Sequence, residues 1–528
     1  MLATAALSAC ATYTAPAAVR HGGDLKMSVD AYPTSLNPLV AGDVSSVRAY
    51  TPLFPHLFGL DAALRPQPDL AASLPAVSAD GLTWSVTLRQ GALWSDRSPI
   101  TADDVKFTVD TERSPSLDTD AIFDWSELDQ VTVVDSRTVA FKTKVPDVTF
   151  VANHLAMPIV PRHVLQGVAP TRMRESLYSS RPTVTGGPFR FDSTVSGRSL
   201  VYVANPLYYG GRPRLDRLLI YVTRDHSQLV SAMTSGFILW VPNATQATVD
   251  AARGVAAIHV ASYPDLGYTG ITFNFRAGRP FASLASRRAL ASALDMGAIE
   301  QQVRGRYAVP AWSVFNPQSW AYPAAGAVPR PRDVAAATQA LAGQTVTAAL
   351  LYPQDDDRRA RAAGLIAKQA ADAGIRLTPT AVPAATFEAR LGAGDFDLAL
   401  TANGQAADPD PSAYLHTPRA LPAPPGPTGV AYTDGALNAG AYSDPALDAL
   451  LDAERAPAGG ATTLTSAARK DLLAQVDNRV RDQVAVLPVW TDLRYQAFND
   501  TVQGVDTVGN QYDQDRDSQF FSRWYLSA

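Results

Sequence analysis

Residues 345–402 read TVTAALLYPQDDDRRARAAGLIAKQAADAGIRLTPTAVPAATFEARLGAGDFDLALTA, and this stretch decides the fold. Short apolar runs that suit buried strands alternate here with segments whose apolar residues recur at helical spacing. The pattern predicts strand, helix, strand, helix, strand, with the first helix ending at Gly374. Strands that alternate with helices are typical of a sheet with parallel strands. We therefore expect an α/β fold.

The composition is that of a large folded protein. The chain has 528 residues, of which 46% are hydrophobic and 18% charged, so it can bury a sizeable core and extensive disorder is excluded. The length allows about three domains or one composite fold. The net charge of −5 and the lack of a basic stripe argue against a nucleic-acid partner. No run of 18 apolar residues occurs, so the sequence predicts no membrane-spanning helix.

The single cysteine, Cys10, follows Leu7, Ser8 and Ala9. One cysteine excludes an intramolecular disulfide and a zinc site built from cysteines. The segment resembles a bacterial lipobox, in which a small residue precedes a cysteine that is cleaved and acylated. We expect residues 1–19 to be a truncated signal with a lipid-modified Cys10 and a flexible tether. An incidental thiol at a ragged terminus is the alternative.

The sequence lacks the motifs of the common hydrolases and nucleotide enzymes. Its seven histidines include no HExxH pair, and it has no GxSxG turn, no P-loop and no GxGxxG after a strand. The acidic run Asp355–Asp357 is interpreted as the first turn of the following helix, where carboxylates favour the positive end of the dipole, rather than as a metal site. We therefore expect a protein that is not an enzyme and has no metal and no cofactor.

A series of short motifs along the chain resembles one protein family. The motifs are SLNP (35–38), LAASL (70–74), SADGLTWSVTLRQG (78–91), PITADDV (99–105), TGGPFRF (185–191), NPLYYGGRPRLD (205–216), FN (273–274) with RRAL (287–290), and LPVW (487–490). Together and in this order they resemble the bacterial extracellular solute-binding proteins of family 5, the substrate-binding lipoproteins of dipeptide and oligopeptide ABC transporters. The likeness spans about residues 24–495.

The resemblance implies a two-lobed, hinged periplasmic-binding-protein fold (type II, cluster C) with an extra subdomain in the first lobe. We assign residues 20–48, 182–266 and 487–528 to lobe I, 49–181 to the extra subdomain, and 267–486 to lobe II. The chain is expected to cross between the lobes near Tyr268 and near Leu487. Ligand is expected to bind in the cleft and close it, as in other hinged binding proteins.

The resemblance also assigns an amine-binding acid. In the family this acid lies just after the strand equivalent to 396–402, and here the matching segment is NGQAADPDP (403–411). By spacing, Asp408 is the expected amine ligand and Asp410 the second choice; the alternative is that both aspartates only begin turns before proline. Peptide-binding relatives carry Gly-Trp before the acid, whereas this chain has Gly404-Gln405. Gln405 could instead bond a polar ligand such as a sugar hydroxyl.

Further cleft residues are expected from the same resemblance. Asn403 begins the polar segment, residues 403–411, and Tyr32, Pro33 and Thr34 should face the cleft from lobe I. Trp490 should end the last strand near the hinge. Trp312 and Trp320 flank a loop of lobe II, and each of these three tryptophans has core packing as its alternative. Two other tryptophans, Trp84 and Trp94, are expected in the core of the extra subdomain.

The resulting functional hypothesis is a monomeric, lipid-anchored substrate-binding component of an ABC importer. It would capture short peptides on the extracytoplasmic face of the cell membrane and deliver them to permease subunits, which recognise the closed, loaded state. The alternative keeps the fold and changes the ligand to an oligosaccharide, glycolipid, haem or metal complex, in envelope assembly rather than import.

Overall fold

The structure is a computed structural model, and it describes residues 21–121, 125–323, 327–418, 435, 437–456, 464–504 and 523–527. Cys10 and the expected signal and tether, residues 1–19, lie outside these residues. Among the helices described, none is long and apolar enough to cross a membrane.

The strands and helices follow one another in the order of the predicted regions. Residues 21–181 contain β1 (Asp24–Val29), α1 (Val44–Tyr50), β2 (Phe58–Leu60), β3 (Pro66–Pro68), β4 (Ala76–Val77), β5 (Thr83–Thr87), α2 (Ala102–Glu112), β6 (Leu128–Val133), β7 (Thr138–Thr143), α3 (Arg162–Leu165) and α4 (Leu177–Ser180). Residues 182–266 contain β8 (Phe189–Val195), β9 (Ser199–Ala204), β10 (Arg217–Val222), α5 (Leu229–Thr234), β11 (Trp240–Val241), α6 (Gln246–Ala252) and β12 (Ile258–Pro264).

The rest of the chain continues in the same alternating manner. It contains β13 (Tyr268–Phe273), α7 (Leu284–Ala293), α8 (Met296–Val303), β14 (Ala308–Pro310), α9 (Val334–Leu341), β15 (Val346–Pro353), α10 (Asp357–Ala371), β16 (Ile375–Val382), α11 (Ala384–Ala393), β17 (Leu398–Asn403), α12 (Ser412–Leu415), α13 (Pro445–Arg455), α14 (Ala467–Gln483), β18 (Val486–Asn499), β19 (Val502–Gln503) and β20 (Tyr525–Leu526).

The stretch 345–402 forms the expected parallel layer of lobe II. Strand β15 pairs in parallel with both β16 and β17, and α10 and α11 connect them. The Asp356 side chain caps α10 by accepting hydrogen bonds from the backbone N–H groups of Arg358 and Arg359. The interpretation of the acidic run as a helix start is therefore confirmed.

Strand β18 is a single 14-residue strand that belongs to both lobes. Its first half pairs with β13 and β14 of lobe II, and its second half pairs with β11 and β12 of lobe I. The change of partner falls where the Asp265 N–H donates to the Asp492 carbonyl at 2.7 Å. The prediction that Trp490 ends this strand is wrong, because the strand continues through nine more residues to Asn499.

The extra subdomain has its own sheet and core. Strands β4, β5, β7 and β6 form a four-stranded antiparallel sheet, and α2 packs on it. Helix α2 begins with a capping box in which Thr101 and Asp104 bond each other's backbone N–H groups. The side chains of Trp84 and Trp94 are buried in this core, so the prediction that they are core residues is confirmed.

Candidate functional site

A cavity with about 760 Å³ of empty space lies between the extra subdomain and lobe II. The extra subdomain contributes Ser126, Glu127, Asp147, Thr149, Asn153 and His154 to the lining. Lobe II contributes Tyr268, Val314, Asn403, Gly404, Gln405, Ala406, Asp410, Pro411, Ala413, Tyr414, Leu415 and Arg455.

The lobe II wall begins at the end of β17. Asn403 is the last residue of this strand and pairs with Tyr268 of β13. Its side-chain Oδ1 accepts a hydrogen bond from Thr401 Oγ1 at 3.3 Å, whereas the buried Nδ2 has no partner among the described residues. A buried amide nitrogen without an acceptor is costly. Asn403 is 7% exposed and lines the cavity, so it offers a ligand an unused donor.

The next two residues continue this wall. Gln405 donates from Nε2 to the Val314 carbonyl, which fixes the segment after Trp312 against the polar segment. Gly404 brings bare backbone to the cavity. Gly404 and Gln405, two of the predicted site residues, therefore lie beside Asn403 in the lining. The hydrogen bond from Gln405 to Val314 also holds this wall of the cavity in place.

The opposite wall is held by a wide helical turn of the extra subdomain, residues Val151–Leu155. Asn153 in this turn accepts a hydrogen bond from the Asp408 N–H at 3.1 Å. The His154 ring packs against the rings of Trp125 and Phe150, with centroids 5.6 and 5.4 Å apart. The turn therefore joins the lobe II loop directly to the aromatic core of the extra subdomain.

Arg455, the last residue of α13, lies among three carboxylates of the cavity. Its Nη2 lies 3.1 Å from Glu127 Oε1 and 3.6 Å from Asp147 Oδ2, and its Nε lies 3.6 Å from Asp410 Oδ2. The Arg455 carbonyl also accepts a hydrogen bond from the Val148 N–H at 3.0 Å. This contact network connects lobe II to the extra subdomain.

The carboxylates around Arg455 differ in their protonation. Burial raises the pKa of Glu127 to about 8, with the nearby charge of Asp147 adding to the shift and Arg455 opposing it. Burial also acts on Asp147, but the charge of Arg455 and the hydrogen bonds from Glu127 and Thr149 outweigh it and lower the pKa. At neutral pH Glu127 therefore holds a proton and Asp147 is ionised.

Asp408 occupies a buried ion pair at the back of the polar segment. Its two carboxylate oxygens accept hydrogen bonds from Arg469 at 2.8 and 2.5 Å, and Arg469 also donates to Glu454 at 2.8 Å. Burial raises the pKa of Asp408, and the Arg469 guanidinium opposes that shift. The amine-binding role of Asp408 stays a prediction, and it requires this ion pair to open. Asp410, the second choice, lies in the lining itself.

The remaining predicted residues lie elsewhere in the described structure. The Tyr32 hydroxyl is 2.7 Å from Thr194 Oγ1, Thr34 donates to Asp43 at 2.7 Å, and Pro33 is buried. Trp490 lies in the first half of β18, which pairs with lobe II strands, and is 1% exposed in the core that packs around them. None of these four is among the described residues that line the cavity. Their roles as ligand contacts stay predictions.

The two loop tryptophans also lie away from the cavity. Trp312 lines a second space of about 490 Å³ inside lobe II, together with Asp477. The Trp320 ring packs on the Arg469 guanidinium, with its centroid 5.3 Å from the Arg469 Cζ, and the Trp320 backbone N–H donates to the Ala63 carbonyl at 3.0 Å. Trp320 therefore helps to close lobe II against the extra subdomain.

Sequence reasoning missed the wall contributed by the extra subdomain. Glu127 and Arg455 meet although they are 328 residues apart, and Asp408 and Asn153 meet across 255 residues. No spacing rule links such residues. The acidic character of residues 403–411 was visible, whereas its partners in the extra subdomain had no local signal.

The family model and the most similar relatives considered indicate the same protein family. The model of the bacterial extracellular solute-binding proteins, family 5 (middle region), matches residues 65–420. Protein XP55 of Streptomyces lividans is 30% identical over 451 residues, which cover 81% of this chain and 77% of that protein. The oligopeptide-binding protein AppA of Bacillus subtilis is 28% identical over 305 residues, 58% of this chain and 56% of AppA.

Solved structures share the fold. HbpA2 of Haemophilus parasuis superposes with a TM-score of 0.80 at 20% identity, covering 96% of this chain and 100% of that chain. The substrate-binding protein CtaP of Listeria monocytogenes gives a TM-score of 0.75 at 23% identity, with the same coverage. The expected two-lobed periplasmic-binding-protein fold is thereby confirmed. The chain belongs to the bacterial extracellular solute-binding proteins of family 5.

Proposed function

We propose that the protein is the non-enzymatic substrate-binding component of an ABC importer and captures short peptides in the cavity between the extra subdomain and lobe II. The observation that carries the proposal is the buried, unpartnered Asn403 amide in the lining. A peptide backbone supplies carbonyl acceptors for such a donor. Support also comes from two solved structures of this fold, AppA of Bacillus subtilis in complex with a nonapeptide and DppA of Helicobacter pylori in complex with the peptide STSA.

Capture and delivery follow from the position of the cavity. Its walls belong to two regions of the chain, so a ligand that contacts both favours their closed arrangement. We propose that permease subunits receive the ligand from this closed form. Acylation of Cys10 would keep the protein on the extracytoplasmic face of the membrane, close to the permease.

Native mass spectrometry tests the peptide proposal. Protein made without residues 1–20 and purified from cells without added ligand should carry a ladder of adducts at short-peptide masses. Asn403→Ala should lose most of the ladder, because a peptide carbonyl loses its donor. Asn243→Ala is the matched control, since Asn243 bonds Asp30 at 3.2 Å in lobe I and should leave the ladder unchanged. A preparation without peptide adducts, at any collision energy, would remove the peptide claim.

The same spectra examine the alternative ligand. Gln405 stands in the lining where peptide-binding relatives carry an aromatic residue, and this favours a polar ligand other than a peptide. Proteins of the same fold include NikZ of Campylobacter jejuni in complex with Ni(L-His) and AgaA in complex with agropinic acid. A single adduct of non-peptide mass would support this second candidate.

The lipid anchor has its own test. The full chain, expressed in a bacterium, should partition with membranes and show the mass of residues 10–528 increased by a diacylglycerol. Cys10→Ser should release the protein into the soluble fraction. Membrane association that survives Cys10→Ser would contradict the anchor without affecting the peptide proposal.

A further inference from the structure

The acidic wall of the cavity is formed by groups from three separate segments. Glu127 and Asp147 come from the extra subdomain, and Asp410 comes from the loop after β17. Within the described lining, Arg455 is the one lysine or arginine. Three carboxyl groups therefore share a single guanidinium.

Acidic groups outnumber basic ones in this wall even while Glu127 holds a proton. Asp147 and Asp410 then face the single guanidinium of Arg455. Behind the wall, Asp408 and Glu454 share Arg469 in the same way. The charged and titratable groups that face the site, or lie directly behind it, on the described elements are Glu127, Asp147, His154, Tyr268, Asp408, Asp410, Tyr414, Glu454, Arg455 and Arg469.

Because the wall is largely buried, solvent screens its excess of acidic groups only weakly. The Asp147 side chain is 2% exposed, those of Asp410 and Arg455 are 11% and 12% exposed, and Asn403 opens an unused donor into the same space. Electrostatic interactions in such a partly dry space are less screened than at the surface. Asp147 Oδ1 and Asp410 Oδ1 accept hydrogen bonds from Thr149 and Ser412, whereas Oδ2 of each lies 3.6 Å from Arg455. A positively charged group would contact these two Oδ2 atoms at closer range.

We propose that this wall selects peptides with a basic side chain, whose ammonium or guanidinium group binds between Glu127, Asp147 and Asp410. The proposal rests on the proposed function and names its substrate class. A zwitterionic peptide brings one charge of each sign and leaves the wall unbalanced. A peptide with one lysine or arginine brings the additional positive charge that the wall lacks, and the proton held by Glu127 leaves when that cation arrives.

Isothermal titration with a matched peptide set tests the assignment. The ligands are alanyl-lysyl-alanine, the same peptide with an acetylated lysine side chain, and the same peptide with an acetylated amino terminus. We expect side-chain acetylation to weaken binding at least ten-fold. Terminal acetylation distinguishes the other amine, and its effect should be the smaller one. Equal affinity for lysine and acetyllysine peptides would overturn the proposal while leaving the peptide-binding function intact.

Proton release gives an independent measurement. The binding enthalpy of the lysine peptide at pH 7 should differ between phosphate and Tris buffers, because the two buffers take up the released proton with different heats. Glu127→Gln should abolish most of this difference, and Asp410→Asn should weaken lysine-peptide binding by about ten-fold. Glu388→Gln, at an exposed position of α11, should change neither. Glu127→Gln and Asp410→Asn variants that melt normally and retain both properties would overturn the proposal.

Failure of the proposed peptide-binding function would give a different titration result. If none of the three peptides, nor a mixed library of two to nine residues, produces heat with protein stripped of ligand by unfolding and refolding, the peptide-binding function itself is wrong. In that case the basic-peptide assignment falls with it.

Discussion

Lobe II is joined to its two neighbours in different ways. Its junction with lobe I contains a continuous backbone element, because β18 runs unbroken from the sheet of one lobe into that of the other, and the side chains of Arg306 and Tyr307 add contacts to Asp250. Its junction with the extra subdomain is mostly made of side chains around Arg455 and of the loop at Asp408. A backbone ladder can twist without losing its hydrogen bonds, whereas a side-chain network separates contact by contact. We infer that the cavity opens at the second junction while the first holds.

The largest expected loss of stability is at the buried triad of the side-chain junction. Arg469→Met leaves Asp408 and Glu454 without their shared cation, and breaking a buried pair costs about 3–5 kcal/mol. Urea unfolding at pH 7 measures the loss. Lys470→Met, on the exposed side of the same helix, should stay within about 0.5 kcal/mol of the parent protein. If the two variants unfold alike, the triad does not stabilise this junction.

The backbone junction is sensitive at one glycine. Gly267 has φ +106°, and a Cβ there would lie 2.2 Å from the Asn403 carbonyl oxygen. Gly267→Ala should cost about 2–4 kcal/mol through backbone strain and overlap together, and should lower peptide affinity by displacing the Asn403 wall. Thermal unfolding and titration measure the two effects.

A second glycine isolates the strain from the overlap. Gly278 also has a positive φ, +82°, but a Cβ there would meet nothing within 4 Å. Gly278→Ala should therefore cost only about 1–2 kcal/mol and leave affinity unchanged. Equal losses for both alanine variants would mean that contact with Asn403 is unimportant.

A buried acid that lies at neither junction also makes the free energy of unfolding depend on pH. Burial raises the pKa of Glu112, inside the extra subdomain, to about 8, and Trp125 Nε1 donates to it at 3.0 Å. Because the folded pKa lies above the unfolded one near 4.5, the contribution of Glu112 is fully present below pH 4.5 and is lost as the pH rises through 8. Glu112→Gln should raise stability by about 4–5 kcal/mol at pH 8.5 and by almost nothing at pH 4.5.

The control for this series is Glu388→Gln, which changes an exposed carboxylate and should give a gain that is small and independent of pH. Urea unfolding at four pH values between 4.5 and 8.5 provides the comparison. A gain for Glu112→Gln that does not grow with pH would contradict the proposed burial of a protonated acid.

The smallest effect is expected from a side chain at the backbone junction. Arg494 pairs with Asp265 at 2.7 Å beside the lobe crossing, and its side chain is 52% exposed. Exposed ion pairs contribute less than about 1 kcal/mol. Arg494→Ala should therefore shift the urea midpoint only slightly. A loss comparable to that of Arg469→Met would show that side chains hold both junctions.

Local features of the sequence predicted much of the fold. The alternation in 345–402, the Asp356 cap and the core tryptophans Trp84 and Trp94 depend on neighbours in the sequence, and all are present. Position in the polar segment also brought Asn403 into the cavity lining. These predictions succeeded because periodicity and capping are short-range properties.

Predictions that required distant partners were less complete. The spacing of Asp408 located it in the right loop but could not show that Arg469 would occupy both carboxylate oxygens. Trp490 lies in a strand whose continuation to Asn499 depends on pairing with β11 and β12. Glu127 and Asp147 had no signal, because tertiary packing alone brings them to Arg455.

The length of the shared strand β18 means that a small rotation at the lobe crossing produces a larger displacement at the ends of the strand. From the crossing near Asp492 each half extends about seven residues, or roughly 23 Å at about 3.3 Å per residue. A rotation of one degree at the crossing moves the far end of a half by about 0.4 Å. A bend of about 15° spread over a few residues therefore displaces the far end of a half by about 6 Å, which exceeds the spacing of about 4.8 Å between neighbouring strands.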